Sequence, residues 1–131
     1  MLLEDDHYCF VCGKRNPRGL KLIFSASKNK ASVEFTLDKS LQGYKNIIHG
    51  GIIAAILDEA MVKAAIGAGL NAVTAEMTKR FRTPLKAGER AYVEAEITES
   101  GKRLVGAKAV IKNSASVVVA EGHGKLIVVT E

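Results

Sequence analysis

Two adjacent acids lie in the middle of a strongly apolar stretch and are the first candidates for chemistry. From Ile52 to Ile66, the only residues that are not apolar are Asp58, Glu59 and Lys63. A carboxylate that faces apolar surroundings is costly unless it is paired or its pKa is raised, and such groups are enriched at functional sites. The stretch therefore favours a catalytic carboxylate.

The two acids face different surroundings, because adjacent residues of a helix point about 100° apart. Glu59 has Lys63 four residues later, in the favourable order, which predicts a solvated ion pair on the helix surface. Asp58 has Ala54 one turn before it and Val62 one turn after it, with no cation on its side of the helix. We therefore expect Asp58 to be functional. The structural alternative is a cap, or a hydrogen bond to a partner loop.

The segment His49-Gly50-Gly51 marks the start of the same helix. The first N–H groups of a helix lack internal acceptors and carry the positive end of its dipole, so they can hold an oxyanion. The two glycines would let a substrate carbonyl approach the backbone closely, although a plain turn is the alternative interpretation. His49 is expected to fix the loop by hydrogen bonding rather than to act as a base.

The spacing of these features limits how they can act together. Asp58 lies eight residues after Gly50, which is about 12 Å along a helix axis. A donor and a carboxylate that serve one carbonyl must each lie within about 3–3.5 Å of it. We therefore predict that, if the two act together, Asp58 comes from one subunit and Gly50 from another.

The elements that must position these residues are one helix and one sheet. The helix is predicted from Gly50 to about Ile66, ended by Gly67 and Gly69. Alternation and β-branched residues predict two strands before it and four after it. The predicted strands lie in the segments LKLIFSA, ASVEFTL, AVTAEMTKRFRTPL, RAYVEAEITES, LVGAKAVIKNS and VVVAEGHGKLIVV. Since only the helix can cover the apolar face of such a sheet, we predict an α+β domain whose antiparallel sheet of about six strands wraps around one long central helix.

The composition narrows the class of protein. The 131 residues fit one domain, 1–131, with residues 1–19 as an irregular lead-in segment. A net charge of +5 favours an anionic partner, but three Tyr, four Phe, no Trp and scattered basic residues argue for a phosphate-bearing small ligand rather than nucleic acid. No apolar run would span a membrane, and residues 1–6 lack the features of a secretory signal. We expect a cytoplasmic protein without a nucleic-acid or membrane partner.

Cys9 and Cys12, with His7 nearby, raise the question of a metal or redox site in the lead-in segment. A structural zinc usually needs four ligands, and this cluster offers three. No thioredoxin-like strand and helix surround the pair. We therefore expect buried thiols that pack the segment, and no metal.

At this point four segments resemble one family. HGGIIAAILDEAM is similar to the central-helix motif of hotdog-fold acyl-CoA thioesterases, particularly the phenylacetate-degradation-type (PaaI-like) branch, in which an Asp follows the motif His by nine positions. That Asp is Asp58 here. CFVCGKRNPRGLKL resembles the amino-terminal segment of one subgroup, QGYKNIIHGG its pre-helix loop, and KRFRTPLKAGE its strand and turn after the helix.

The resemblance implies hydrolysis of an acyl-CoA thioester to free acid and CoA at the interface of a homodimer, or of a dimer of dimers. It implies that Asp58 acts as nucleophile or general base, and that the backbone N–H of Gly50, beside Gly51 and His49, polarises the thioester carbonyl. Thr74 matches a hydroxyl residue that helps to orient the attacking water. The CoA belongs to the substrate, and no cofactor is expected.

Two positions depart from the family pattern. Some relatives carry an Asn six residues before the motif His, whereas this chain has Gly43 there, with Gln42 beside it. Either Gln42 replaces that Asn or the site works differently. Glu59 occupies a position that is often Thr in the best-known branch, and other hotdog branches use a Glu as the nucleophile. Glu59 is therefore the reserve catalytic candidate, although its pairing with Lys63 argues against this role.

The nucleotide of CoA is expected on the outer surface of the strand that follows the helix. Strand alternation puts Thr78, Arg80 and Arg82 on one face, and forked arginine side chains suit phosphate. Thr83 joins this predicted substrate-binding set. A solvated strand face is the alternative interpretation.

Two other functions are weighed against hydrolysis. One is a non-catalytic module that binds acyl-CoA. The other is a hotdog hydratase or dehydratase, which would carry a His and Asp pair in a motif of its own that this sequence lacks.

Overall fold

The computed structural model describes residues 3–130, so Met1, Leu2 and Glu131, at the ends of the predicted domain and lead-in segment, lie outside it. Residues 3–24 contain turns and irregular backbone but no helix or strand. The regular elements are β1 (Ser25–Ser27), β2 (Lys30–Thr36), α1 (Gly50–Gly67), β3 (Ala72–Phe81), β4 (Arg90–Ser100), β5 (Leu104–Asn113) and β6 (Val118–Val128), with one 3-10 turn at Lys39–Leu41.

The six strands form one antiparallel sheet in the order β1-β2-β4-β5-β6-β3. The strand that follows the helix therefore lies at one edge of the sheet, beside the last strand of the chain. Helix α1 packs against all six strands. The predicted α+β architecture, with two strands before one central helix and four after it, is confirmed.

Alternation along the strands separates the core from the outer face. In β4, Ala91, Val93 and Ala95 are buried, while Tyr92 and Glu94 between them are exposed. On the helix side, Ile56, Leu57 and Met61 are inaccessible to solvent. The core lies between the helix and the inner face of the sheet.

Two glycines of β6 lie where the helix packs on the sheet, and Gly124 leaves little room there for a side chain. A Cβ on Gly122 would lie 3.7 Å from the Leu57 side chain, and one on Gly124 would lie 3.3 Å from the Met61 side chain and 2.7 Å from the carbonyl oxygen of Glu76. Any larger residue at Gly124 would push against backbone, because interiors are close-packed.

The first predicted strand is wrong in extent. The segment LKLIFSA was predicted to be extended from Leu20, but the pairing with β2 on this side begins only at Ser25 and covers Ser25–Ser27. The N–H of Leu20 donates instead to the carbonyl of Phe10 at 2.8 Å, and that of Leu22 to the carbonyl of Val11 at 2.9 Å. The lead-in segment thus takes the backbone bonds that a longer strand would have used, and Lys21, at φ 55°, interrupts the extended backbone.

The first two strands form a hairpin with a two-residue turn. Lys28 and Asn29 both have positive φ, 51° and 68°, as primed hairpin turns require. The N–H of Asn29 also donates to the carbonyl of Gly67 at 3.3 Å, so the turn docks on the end of α1.

Within residues 3–130, no helix combines the length and apolar character that crossing a bilayer would require.

Candidate active site

Asp58 lies in the middle of α1, partly buried, and accepts a hydrogen bond from the hydroxyl of Thr74 on β3. It forms no ion pair with any residue in the range 3–130. The structure therefore brings together the two side chains that the resemblance had assigned to the acid and to the water-orienting hydroxyl.

A β-bulge explains how Thr74 reaches the helix. Thr74 lies opposite Leu126, which is fully buried, and Met77 lies opposite Gly124, which faces the helix. Both are therefore inward, although three residues apart, because the register shifts between Thr74 and Glu76. An extra residue in one strand inverts the alternation on one side of it. Strict alternation from the outward-facing Thr78 would have placed Thr74 outside.

The start of α1 has the form expected of a donor site. His49 is the N-cap, and its Nδ1 accepts from the N–H of Gly51 at 2.8 Å, which agrees with the predicted loop-fixing role. The exposed N–H of Gly50 has no acceptor among the described residues. A cleft of about 360 Å³ opens there, lined by Gly43, Tyr44, Ile47, Ile48, His49 and Gly50.

Gln42 is engaged within the loop before the helix. Its Oε1 accepts from the N–H of Asn46 at 3.0 Å, and Asn46 has φ 64°. The glycine beside it, Gly43, lies against the ring of His49, since a Cβ there would be 3.4 Å from Cδ2. Gln42 therefore shapes the loop that carries His49, and its role toward a substrate stays a prediction.

Glu59 forms the predicted pair with Lys63, at 4.0 Å between Oε1 and Nζ. The prediction that this pair is solvated is wrong, because the two side chains are only 15% and 23% exposed, Glu59 being the lower. The lead-in segment contacts Glu59. The Sγ atoms of Cys9 and Cys12 donate to the same Oε1 at 3.6 Å and 3.1 Å.

The surroundings of Cys12 keep its thiol protonated. Burial, followed by the hydrogen bond to Glu59, raises the pKa of Cys12 to about 12. His7, which the sequence grouped with the cysteines, lies outside this cluster and is exposed beside Asp5. Sequence reasoning missed the link to Glu59, because the residues lie 47 and 50 positions apart and no local pattern joins them.

The register confirms that Thr78 and Arg80 lie on the outer face of β3, and Arg82, just beyond the end of the strand, lines the same groove. Thr78 lies opposite His123 and Arg80 opposite Glu121. A groove of about 870 Å³ on this face includes all of these side chains but not Asp58.

Arg82 in this groove already forms an ion pair. Its Nη2 donates to Oε1 of Glu121 at 2.6 Å, which lowers the pKa of Glu121. A phosphate at Arg82 would compete with that carboxylate. Thr83 is held by its backbone N–H, which donates to the carbonyl of Val119 at 3.1 Å.

Comparisons with known proteins identify the family and the fold of the chain. The family model of the thioesterase superfamily matches residues 45–120. A protein of Archaeoglobus fulgidus named "Putative esterase" is 28% identical over 109 residues, which cover 83% of this chain and 71% of that protein. The PaaI protein of the E. coli phenylacetic acid degradation operon is similar in structure, with a TM-score of 0.80 and 25% identity over 85% of this chain and 81% of that chain.

A hypothetical thioesterase protein of Streptococcus pneumoniae, solved with coenzyme A, has the same fold at 17% identity. Its TM-score is 0.80, over 84% of this chain and 87% of that chain. Two further structures of that protein carry an alanine in place of an Asp and in place of a Thr. The sheet wrapped around one helix is the hotdog fold.

Proposed function

Since the chain belongs to the thioesterase superfamily, we propose that it hydrolyses acyl-CoA thioesters to a free acid and CoA, with Asp58 as the catalytic carboxylate. The observation that carries the proposal is the hydrogen bond from Thr74 to Asp58. It orients a carboxylate that has no cation partner among the described residues, and this favours a role toward a substrate or a water over a role in stability.

Two routes lead to the same products. Asp58 takes a proton from a water whose oxygen attacks the thioester carbonyl, or it attacks the carbonyl itself to give an anhydride that water then cleaves. In both, the bond between carbonyl carbon and sulfur breaks, and CoA leaves as the thiol after taking up a proton. The hydroxyl of Thr74 donates to Asp58 and keeps its lone pairs for the water. Side chains and water suffice for either route.

The oxyanion that forms in either route needs a donor, and the N–H of Gly50 is proposed for it. Gly50 is exposed at the positive end of the helix dipole, and its N–H has no acceptor among the described residues. Because Gly50 and Asp58 of one chain are about 12 Å apart along the helix, the donor belongs to a second subunit. The proposed active unit is therefore a homodimer.

Substrate binding is proposed for the residues around these two points. His49, Gly51 and Gln42 shape the loop at the donor end, and the glycine backbone leaves room for the thioester. For the phosphates of CoA, Arg80 is the first candidate, with Arg82 and Thr83 beside it, because Arg82 is occupied by Glu121. The structurally similar thioesterase protein from Streptococcus pneumoniae, which was solved with coenzyme A, supports the proposal of a CoA ligand.

The test is thiol release from a panel of short, long, branched and aromatic acyl-CoA esters. In Asp58→Ala we expect kcat to fall by roughly ten-thousandfold, because a carboxylate that acts in the reaction is removed. Calorimetry should show that the variant still binds the ester. Glu99→Ala, at an exposed position of β4, is the matched control and should retain wild-type turnover.

Three results would contradict the proposal in different ways. Unchanged turnover in Asp58→Ala would remove Asp58 from the mechanism. Loss of turnover in Glu59→Ala alone would transfer the role to Glu59. A wild-type chain that binds the esters but releases no thiol across the panel would be an acyl-CoA-binding module.

A further inference from the structure

The lead-in segment and the central helix meet at a cluster of three metal-ligating groups. The Sγ atoms of Cys9 and Cys12 and a carboxylate oxygen of Glu59 all lie within 4.8 Å of one another. We propose that these three residues bind one divalent zinc ion per chain, with a water in the fourth position. This proposal revises the expectation of no metal and does not depend on the proposed hydrolase activity.

The distances suit a tetrahedral ion. Zinc bonds of about 2.3 Å to sulfur and about 2.0–2.2 Å to oxygen place neighbouring ligand atoms roughly 3.5–3.8 Å apart. The Glu59 Oε1 lies 3.6 Å from the Cys9 Sγ and 3.1 Å from the Cys12 Sγ. Both sulfur–oxygen distances are therefore within about half an ångström of the values that zinc requires, and the two sulfurs lie no more than 4.8 Å apart.

The local turn aims both thiols at one point. The N–H of Cys12 points to the Cys9 Sγ at 3.4 Å, and the N–H of Gly13 donates to the Cys9 carbonyl at 2.8 Å. Only glycine fits after Cys12, since a Cβ at Gly13 would lie 2.4 Å from the Cys9 nitrogen. Val11, between the two cysteines, is buried and anchors the turn on the core. A backbone N–H that donates to a ligand sulfur helps to orient that ligand.

Charge and ligand chemistry favour zinc over harder ions. Two thiolates and one carboxylate form a soft, anionic set, whereas calcium and magnesium take oxygen ligands. On binding, the two thiols would each release a proton to solvent. The ion would then carry three anionic ligands, and the ammonium of Lys63, 4.0 Å from Glu59, would offset the remaining negative charge.

The ion would connect the lead-in segment to the central helix. Glu59 follows Asp58 directly in α1, so a metal held there would fix residues 3–24 against the helix turn that carries Asp58. An ion that binds the folded chain and not the unfolded chain stabilises the folded state by mass action. The expected consequence is a rise in Tm on addition of zinc.

The test is a titration of the full chain, reduced and stripped of metal, with cobalt and then with zinc. Cobalt should give the near-ultraviolet absorption of thiolate-to-metal charge transfer, saturating at one ion per chain, and zinc should displace it and raise Tm. Cys12→Ser and Glu59→Gln should each weaken affinity by at least about tenfold, since each removes a ligand. Glu99→Gln, on exposed β4, should bind as the wild type does.

Two outcomes would overturn the proposal. One is the absence of a thiolate band in the reduced wild-type chain, which would leave the thiols as hydrogen-bond donors to Glu59 and nothing more. The other is unchanged affinity in both Cys12→Ser and Cys9→Ser, which would place any bound ion elsewhere. The wild-type titration decides the first outcome even if the variants fold poorly.

Discussion

At the scale of single residues, Asp58 and Glu59 are held by different elements, although they are neighbours in the chain. One oxygen of Asp58 accepts from Thr74 on β3, and its second oxygen has no hydrogen bond from the described residues. The carboxylate of Glu59 is shared by Lys63 and the two thiols of the lead-in segment. Asp58 is thus oriented but left with a free oxygen, which suits a reacting group.

Replacing Thr74 tests this orientation. In Thr74→Val the shape is nearly kept but the hydroxyl is lost, so we expect kcat for thioester hydrolysis to fall by up to about a hundredfold, because a misplaced carboxylate reacts slowly. Thr74→Ser retains the donor and should recover most of the rate. Equal rates in all three proteins would show that the hydrogen bond to Asp58 plays no part in the reaction.

At the scale of elements, the two ends of α1 differ in what they contact. Its first residue faces a cleft, while its last residue, Gly67, lies under the hairpin of β1 and β2. A Cβ on Gly67 would lie 2.8 Å from the nitrogen of Ser27 and 2.9 Å from the carbonyl oxygen of Lys30. Both are backbone atoms and cannot turn away. Close contact at this end therefore fixes how the helix is seated in the sheet.

Gly67→Ala should lower the free energy of unfolding by about 1–3 kcal/mol, as overpacking does, although alanine has the higher helix propensity. The measurement is urea denaturation. Gly50→Ala is the matched control for stability, since its Cβ would lie 3.5 Å from the ring of Phe81, an ordinary contact. An equal stability of the two variants would mean that the hairpin moves freely against the helix.

At the scale of the whole molecule, the proposed site is complete only in an assembly. Asp58 and the N–H of Gly50 are too far apart along one helix to reach the same carbonyl. In addition, β3, which carries Thr74, is an edge strand of the sheet. An edge strand has backbone groups free to pair with another chain. Both features favour two copies that contribute opposite halves of each site.

Mixed dimers test this arrangement. Asp58→Ala removes the acid, and Gly50→Pro removes the N–H donor. Proline is favoured at the first helical position, and the preceding residue, His49, already has the backbone that proline requires, with φ −59° and ψ 135°. Little strain is therefore expected in Gly50→Pro. Neither variant alone should turn over. Random mixing should restore about a quarter of wild-type activity, since half of the dimers are mixed and each then has one intact site of two.

A second mixture gives the control. Asp58→Ala mixed with Thr74→Val damages the same half of the site in both chains, so no gain beyond the average of the two variants is expected. Absence of recovery in the first mixture, or a fully active monomer in sedimentation, would contradict the shared site.

The sequence by itself determined the fold class, the order of the elements and the helix that carries Asp58, because periodicity and glycine placement report local structure directly. It also singled out Gly50 and the outward face of Arg80 and Arg82. The predictions that were wrong share one physical cause, because each concerns contacts between segments that are distant in the sequence. Leu20 to Phe24 reads as a strand, yet the lead-in segment takes the backbone bonds it would need.

Only the tertiary structure decided which partner each acid has. The bulge that turns Thr74 toward Asp58 is a property of the ladder between β3 and β6, and alternation within β3 alone would have placed Thr74 outside. The thiols meet Glu59 across 47 and 50 residues. Local patterns fix which residues lie on a helix or strand, whereas long-range packing fixes which side chains share a point in space.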